Sequence, residues 1–196
     1  MKWKRWKKIL SSLDRLEFAT LKHLQRLHDL KSYDNAYRIL REMEQEGLVL
    51  TEKREHKIYY LSKDGKIMIG SEKEFPPKRL IEHTLMRNDF YLFLDCPPSW
   101  EIERPVRTSA FEIIPDVTFK DRNGIPIFVE IDNKMSMRDN RKKINNYKNL
   151  SPFFKKQFGK SLEVYFLTVT ENRKKLLESY AKNKINVKVY SIFDIN

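Results

Sequence analysis

The spacing of apolar residues changes along this chain of 196 residues, and that change limits what the chain can fold into. In roughly the first fifty residues, apolar side chains recur every three or four positions, which is the period of amphipathic helices. Later in the chain, short apolar runs typical of strands alternate with helical segments. The sequence therefore predicts a largely helical unit followed by a mixed α and β domain.

Residues 1–70 are predicted to form one unit of three helices and a β-hairpin. Apolar residues at helical spacing indicate two successive amphipathic helices, in segments 3–16 and 18–27. A third helix, at residues 32–46, is followed by Gly47, which can adopt the left-handed conformation that ends many helices. The hairpin follows this third helix.

Two short β runs, at residues 48–50 and 58–61, flank a polar and basic tip. Together with the helices they give the element order of a winged helix-turn-helix domain. The sequences Glu46-Gly-Leu-Val-Leu and Tyr59-Tyr-Leu-Ser-Lys-Asp-Gly65 resemble the wing signature of bacterial winged-helix DNA-binding domains. The resemblance implies that the third helix enters the major groove and that the wing contacts the DNA backbone. The expected DNA contacts from these elements are Asn35, Tyr37, Arg38, Arg41, Lys53, Arg54 and Lys57.

Residues 71–78 are polar and contain two prolines, which predicts a linker there and a second domain at residues 79–196. The apolar patterns of that domain predict the order αβββαβ with one further helix and strand. The predicted segments are a helix at 79–94, strands at 100–107, 112–120 and 126–134, a helix at 138–150, a strand at 163–170, a helix at 171–182 and a strand at 187–192. This order resembles the core of the PD-(D/E)XK nuclease-like superfamily. The predicted fold class is thus α+β or α/β, an N-terminal winged helix-turn-helix followed by a nuclease-like αβββαβ domain.

Acidic residues lie where that superfamily has its metal ligands. Asp116 lies in the second predicted strand, and the next strand carries Glu130, Asp132 and Lys134. Side chains two positions apart in a strand point to the same face, so the last three are expected to share a face. Two converging carboxylates can hold Mg²⁺, while a lysine positions the attacking water and offsets charge that develops on the phosphate.

The strand departs from the motif at its lysine, because Asp132 stands where lysine is expected if Glu130 is the motif's acid. Asp132 and Lys134 give an alternative Asp-x-Lys register, and the sequence leaves both registers open. On the following helix, Lys143 and Tyr147 resemble the Gln-x-x-x-Tyr element of some nucleases in this superfamily, and Lys143 could supply the cation from there. The catalytic candidates are Asp116, Glu130, Asp132, Lys134 and Lys143, with Asp116, Glu130 and Asp132 as ligands of Mg²⁺ or Mn²⁺ if the domain is an active nuclease.

Basic residues are concentrated in one part of the second domain. The chain has 39 Lys and Arg against 27 Asp and Glu, a net charge of +12, and residues 134–160 contain nine basic residues against one acid. A helix face that is merely solvated usually mixes both signs, so this excess favours contact with nucleic acid. Further DNA contacts are therefore expected at Arg138, Arg141, Lys142 and Tyr147.

The chain has one cysteine, which excludes an intramolecular disulfide framework and a cysteine-rich zinc site. No apolar run has the length of a signal peptide core or a membrane span, so we expect a cytoplasmic protein without a membrane partner. Many winged-helix proteins dimerise through an added N-terminal helix, and Trp3 and Trp6 on the first helix are compatible with such a homodimer.

Taken end to end, the chain resembles the plasmid replication-relaxation family. The resemblance is carried by Ile81-Glu-His-Thr-Leu-Met-Arg-Asn88, Pro115-Asp116, Val129-Glu-Ile-Asp132 and Lys143-x-x-x-Tyr147, in addition to the winged helix. It implies a double-stranded DNA-binding protein of a plasmid or related mobile element that acts in plasmid replication, relaxation or transfer. In that function the nuclease-like domain is non-catalytic.

Two other functions stay open at this stage. One is a Mg²⁺-dependent endonuclease that cleaves or nicks DNA, and the other is an adaptor whose winged helix binds a replication or relaxase protein. Neither cofactor nor protein partner is specified by the sequence motifs.

Overall fold

The structure is a computed structural model that describes residues 2–195 of the chain. The chain divides into two compact units, the first ending at Asn88 and the second beginning at Asp89. The predicted linker at residues 71–78 lies within the first unit, and residues 71–77 form neither helix nor strand. The combination of helices and sheets confirms the predicted α and β class at this coarse level.

The first unit consists of helices around a small antiparallel sheet. Its elements are α1 (Lys2–Leu16), β1 (Ala19–Thr20), α2 (Leu21–His28), α3 (Tyr33–Gln45), β2 (Val49–Lys53), β3 (Lys57–Leu61) and α4 (Lys63–Ile69). Strand β3 lies between β2 and the two-residue β1 and pairs antiparallel with both. The predicted helices and hairpin are present, whereas β1 and α4 were not predicted.

Capping residues determine where α2 begins and ends and where α3 begins. The Thr20 hydroxyl accepts a hydrogen bond from the His23 N–H at 3.3 Å, and His23 Nδ1 accepts one from the Thr20 N–H at 3.2 Å. Helix α2 ends at His28 and is capped by Asp29, whose left-handed conformation has a φ of 45°. The Ser32 hydroxyl then accepts a hydrogen bond from the Asn35 N–H at 3.2 Å and begins α3. The turn between the two helices is therefore short.

The inner faces of these helices form the core of the first unit. The buried apolar side chains are Trp6, Ile9, Leu10, Leu13 and Leu16 of α1, Leu21 and Leu24 of α2, and Ala36, Ile39, Leu40 and Met43 of α3. They recur at helical spacing, so each helix keeps its opposite face in solvent. Trp6 is buried in this core, whereas Trp3 is exposed.

Gly65 allows α4 to approach the hairpin closely. A Cβ atom at Gly65 would lie 2.1 Å from the Leu48 carbonyl oxygen, which no side chain can tolerate without movement of the backbone. The same carbonyl accepts a hydrogen bond from the Ser62 N–H at 3.2 Å, and the Ser62 hydroxyl accepts one from the Gly65 N–H at 2.9 Å. The glycine of the wing signature thus has a packing role.

Helix α5 (Ile81–Phe93) follows a 3₁₀ turn at Lys78–Leu80 and contains the division between the two units. Its buried Asn88 donates hydrogen bonds to the carbonyl oxygens of Leu16 at 3.1 Å and Phe18 at 2.7 Å. The asparagine of the family-like helix motif therefore binds the backbone that follows α1.

The second unit is built on a five-stranded sheet. Its elements after α5 are β4 (Glu101–Ile102), β5 (Val106–Arg107), β6 (Glu112–Ile113), β7 (Val117–Lys120), β8 (Pro126–Asp132), α6 (Met137–Phe158), β9 (Glu163–Thr168), α7 (Glu171–Ala181), β10 (Asn186–Ser191) and α8 (Ile192–Ile195). The strand order is β10-β9-β8-β7-β4. Strands β8, β9 and β10 are parallel neighbours, while β7 and β4 continue the sheet with antiparallel pairing.

Helices α6 and α7 connect the parallel strands and share one hydrophobic core with the sheet. Ile144 and Tyr147 of α6 and Leu177 of α7 are buried in this core with Phe128 and Phe166 of the strands. Successive residues of a strand point to opposite faces, and on the other face Tyr165 of β9 contacts the rings of Phe90, Phe119 and Tyr190. This arrangement places the inward side chains of β8 against α6.

Two predicted strands are interrupted in the structure. The predicted strand at 100–107 is divided into β4 and β5, because Glu103 has a φ of 49° and Pro105 has no N–H to donate. The predicted strand at 112–120 is divided near Pro115, which likewise has no N–H to donate. Strands β5 and β6 pair with each other in a separate two-stranded sheet.

Two further boundaries differ from the prediction. The predicted strand at 126–134 ends at Asp132, where the chain leaves the sheet toward α6. The predicted helix at 138–150 is longer, because α6 continues through Pro152 and keeps Phe154 in the core.

Candidate functional site

Asp116, Glu130, Lys143 and Tyr147 form one side-chain cluster between the sheet and α6. The Lys143 ammonium contacts Glu130 Oε2 and lies 3.4 Å from Asp116 Oδ2. The Tyr147 hydroxyl donates a hydrogen bond to the other oxygen of Glu130, Oε1, at 2.5 Å. Asp116 Oδ2 also accepts a hydrogen bond from the Ile131 N–H at 2.7 Å. The structure thus brings together three catalytic candidates and one residue that was predicted to bind DNA.

Burial controls the electrostatics of this cluster. Loss of water raises the pKa of Glu130 to about 8; the Asp116 carboxylate adds to this shift, while Lys143 and Tyr147 oppose it. Burial alone would lower the pKa of Lys143, but the two carboxyl groups raise it above its ordinary value. At Glu130, burial and the neighbouring Asp116 carboxylate therefore outweigh the contacts with Lys143 and Tyr147.

Asp132 has a different set of partners, although it is two residues from Glu130 on the same face of β8. Arg173 of α7 forms a bidentate ion pair with it, at 2.8 Å from Nε to Oδ2 and 2.6 Å from Nη2 to Oδ1. The Asn140 side-chain amide and the Thr168 hydroxyl donate to the same carboxylate at 2.9 and 2.7 Å. Burial opposes ionisation, but these hydrogen bonds and the guanidinium charge outweigh it and lower the pKa of Asp132.

Asn140, Thr168 and Arg173 were not among the sequence candidates. No motif marks them, because Arg173 is 41 residues and Thr168 is 36 residues from Asp132 in the chain. Asn140 reaches the carboxylate from α6, Thr168 is the partner of Asp132 in the pairing of β8 with β9, and Arg173 reaches it from α7.

Lys134 does not join either cluster. Strand β8 ends at Asp132, so the alternation that was expected to direct Lys134 toward the acids does not extend to it, and its side chain is exposed. Of the two candidate cations, the structure brings Lys143 rather than Lys134 to Glu130.

The arrangement does not fit a divalent cation. Mg²⁺ or Mn²⁺ needs carboxylate oxygens that the protein itself does not already occupy. Both oxygens of Glu130 accept from protein donors, and both oxygens of Asp132 are held by Arg173 and its neighbours. Within residues 2–195, no group of three or more His, Cys, Asp or Glu side chains could hold a metal ion.

Apart from Lys143, the basic residues of α6 lie on its outer surface. Arg138, Arg141 and Lys142 are exposed; the Arg141 guanidinium lies 5.0 Å from the ring centroid of Tyr180. Tyr147, which was expected to contact DNA, is instead buried in the core with 2% of its surface exposed. That expectation was wrong because Tyr147 follows Lys143 by one helical turn and faces the sheet.

Helix α3 presents an aromatic and basic surface opposite its buried face. Tyr33 and Tyr37 are 63% and 40% exposed, and their rings stack with centroids 6.4 Å apart. Arg38 and Arg41 are exposed on the same side of the helix. Tyr33 was not predicted as a site residue, although its spacing of four residues from Tyr37 places both on one face.

Asn35 and Arg38 already have partners within the first unit. The Asn35 side-chain amide donates to the Leu30 carbonyl oxygen at 2.9 Å, which ties α3 to the preceding turn. Arg38 donates to Glu42 Oε1 at 2.6 Å and to Asn35 Oδ1 at 3.0 Å. Arg41, by contrast, extends from the helix into solvent.

The three basic residues predicted at the hairpin differ in their exposure and contacts. Lys53 and Arg54 are exposed at the tip. The Lys57 ammonium lies 2.6 Å from Glu44 Oε2 and thereby links β3 to α3. Lys57 therefore orients the hairpin on the helix, whereas Lys53 and Arg54 remain accessible.

A family model described as replication-relaxation matches residues 10–160, which include α3, the hairpin, β8 and all of α6. Searches of curated proteins and of solved structures found no significant match. Within residues 2–195, none of the helices combines the length and apolar character needed to cross a membrane. Since the match covers most of the chain, this protein belongs to the replication-relaxation family.

Proposed function

We propose that this protein binds double-stranded DNA through α3 and the hairpin, as a winged helix-turn-helix protein in the replication or relaxation of a plasmid or related mobile element. The family assignment supports the plasmid role. The observation that carries the proposal is the exposed surface of Tyr33, Tyr37, Arg38 and Arg41 on a helix whose other face is fixed in the core.

The geometry of α3 and the hairpin suits the two parts of this interface. An α-helix fits the major groove of B-DNA, where Arg can bind guanine edges and an aromatic ring can contact thymine methyl groups. In our proposal Arg41 and Tyr37 contact base edges, while Lys53 and Arg54 at the hairpin tip contact phosphates. Asn35 supports the turn before α3 rather than contacting a base, because its amide group is already hydrogen-bonded to Leu30.

The outer surface of α6 supports a second contact with DNA phosphates in the same proposal. Arg138, Arg141 and Lys142 are exposed there with Asp139 as the one acidic neighbour among them in the chain. Several positive charges on one face of a helix favour binding to a polyanion such as DNA, because each phosphate contact releases counterions condensed on the DNA.

We further propose that the second unit has a nuclease-like fold that serves as a non-catalytic scaffold. Its mixed sheet, with α6 and α7 connecting β8, β9 and β10, supports the fold. The Lys143 and Arg173 contacts to the acids support the non-catalytic role, because both candidate ligand carboxylates are neutralised by protein side chains.

Affinity measurements on matched variants test the DNA interface. We expect Arg41→Gln to bind a fluorescent duplex selected from a random-sequence pool about tenfold more weakly than the wild-type chain. Arg122→Gln removes one charge from an exposed turn of the second unit and is the matched control, with an expected change of less than about twofold. Equal losses in the two variants would exclude α3 as the specific DNA-reading element.

Plasmid nicking tests the scaffold role. Full-length protein and an Asp116→Ala variant are incubated with supercoiled plasmid in Mg²⁺, in Mn²⁺ and in EDTA. We expect salt-sensitive binding without nicking in every sample. Nicking that requires the metal and disappears in Asp116→Ala would instead establish an endonuclease.

A further inference from the structure

Asp116 and Glu130, the two acids expected to bind a divalent cation, both contact the ammonium group of Lys143. Lys143 contacts Glu130 Oε2 and lies 3.4 Å from Asp116 Oδ2, so one cation serves two carboxyl groups. The Glu130 side chain is 4% exposed and the Asp116 side chain is 15% exposed. Two buried acids at one place are unfavourable unless a positive charge compensates them.

Helix α6 supplies this compensation through two residues separated by one turn. Lys143 and Tyr147 project from the same face of the helix, since residues four apart are neighbours on its surface. Lys143 meets one oxygen of Glu130 while Tyr147 donates to the other at 2.5 Å. The carboxyl group is therefore held in one orientation, with Oε2 directed toward Asp116 and the ammonium group.

Asp132 is kept out of this arrangement. Its carboxylate is bound on both oxygens by Arg173, which also donates to the Met135 carbonyl oxygen at 2.6 Å. The third acid of the motif is consequently neutralised by its own cation. Each acidic position of the motif-like strand thus has a basic side chain that offsets its charge.

We propose that Lys143 replaces a divalent cation in this protein, and that the place of its ammonium group is a latent divalent-cation site formed by Asp116 and Glu130. This inference does not depend on DNA binding. Removal of the ammonium group would leave Glu130 Oε2 and Asp116 Oδ2 without the cation that they share, and hard divalent ions prefer carboxylate oxygens completed by water.

Metal binding by Lys143→Ala tests the proposal. We expect the full-length variant to bind one Mn²⁺ ion, measured as loss of the free Mn²⁺ electron paramagnetic resonance signal. Mn²⁺ at about one hundred times its dissociation constant should raise the melting temperature of the variant by roughly 5–10 °C. The wild-type chain should bind no Mn²⁺ at these concentrations and should show no such shift.

A second variant distinguishes the site from unspecific effects. Glu130→Gln combined with Lys143→Ala removes a ligand along with the ammonium group, and we expect it to bind no Mn²⁺. If Lys143→Ala is unfolded without metal, recovery of its circular dichroism signal during a Mn²⁺ titration becomes the measurement. Failure of folded Lys143→Ala to bind Mn²⁺, failure of the unfolded variant to recover, or Asp116-dependent binding by the wild-type chain would each overturn the proposal.

Discussion

At the scale of single residues, the second unit contains two buried acids whose pKa values are shifted in opposite directions. Glu130 has a raised pKa because burial outweighs its contacts with Lys143 and Tyr147. Asp132 has a lowered pKa because the hydrogen bonds and charge of Arg173 outweigh burial. Two causes account for the difference: the Asp116 carboxylate adds to the rise in the pKa of Glu130, and a bidentate guanidinium stabilises the Asp132 carboxylate more than a single ammonium contact does.

The stability of the protein should depend on pH through Glu130. Because the folded-state pKa is about 8, above the unfolded value of about 4.3, the folded state binds more protons than the unfolded chain between these values. Glu130 therefore stabilises the fold least at high pH, and its contribution is lost as pH rises through about 8. Urea denaturation from pH 5 to about 9 should show a smaller decline for Glu130→Gln than for the wild-type chain. Identical pH profiles would contradict the assignment.

Arg173 should contribute much more to stability than an exposed arginine in an ion pair. Arg173→Ala leaves the fully buried Asp132 carboxylate without its cation, which should cost about 3–5 kcal/mol in the free energy of unfolding. Arg107→Ala, which breaks the exposed pair with Glu112, is the matched control and should change the stability little, because water screens an exposed ion pair. Denaturant titrations of both variants make the comparison, and a similar small loss in both would show that Asp132 finds other compensation.

At the scale of elements, one close contact determines how α4 follows the hairpin. The helix begins beside Leu48, whose carbonyl oxygen leaves no space for a Cβ atom at Gly65. A glycine near the start of a short helix weakens the helical pattern in the sequence, which is why α4 was not predicted. Gly65 thus weakens the sequence pattern of α4 and is at the same time required for the packing of α4.

Gly65→Ala should destabilise the first unit more than an alanine at an open glycine. The added methyl group collides with backbone, and we expect a loss of about 3 kcal/mol in the free energy of unfolding. Gly47→Ala is the control, because Gly47 has a φ of +70° but nothing within 4 Å, so the loss should be about 1 kcal/mol. Urea denaturation measures both values; an equal loss would mean that the start of α4 moves freely.

At the scale of the whole molecule, charge is the property that bears most directly on partners. The net charge is +12, and residues 134–160 account for an excess of eight because they hold nine basic residues and one acid. Lys143 contacts Asp116 and Glu130, so the basic residues of this stretch that are left for a partner are the exposed ones, most of which lie on the outer surface of α6. A positive net charge favours binding to any nucleic acid, whereas base contacts from α3, as we propose them, would select a particular DNA sequence.

The salt dependence of DNA affinity should show how many of these residues contact phosphates. Changing Arg138, Arg141 and Lys142 together to Gln should reduce the slope of log affinity against log salt by about 2–3. A control with Lys4, Lys7 and Lys8 of α1 changed to Gln has the same net charge and should keep the wild-type slope. Equal slopes for the two triple variants would show that α6 makes no special contact with DNA.

The sequence determined by itself the family, the α and β class and most helices and strands. The class and the elements follow from local periodicity, which indicates for each residue whether it faces a core, whereas the family was recognised from the resemblance of short motifs. The family is confirmed by the match over residues 10–160, while the winged-helix and nuclease-like arrangements and DNA binding stay predictions. Residue spacing also predicted that Glu130 and Asp132 share a face of one strand.

Only the tertiary structure decided what each acid meets. Glu130 pairs with Lys143, 13 residues away, and Asp132 pairs with Arg173, 41 residues away. Tyr147 is buried against Glu130 instead of lying on the basic surface. Local patterns cannot specify such pairs, because the partner of a buried charge depends on how α6 and α7 pack across the sheet, and that packing is a property of residues distant in the chain.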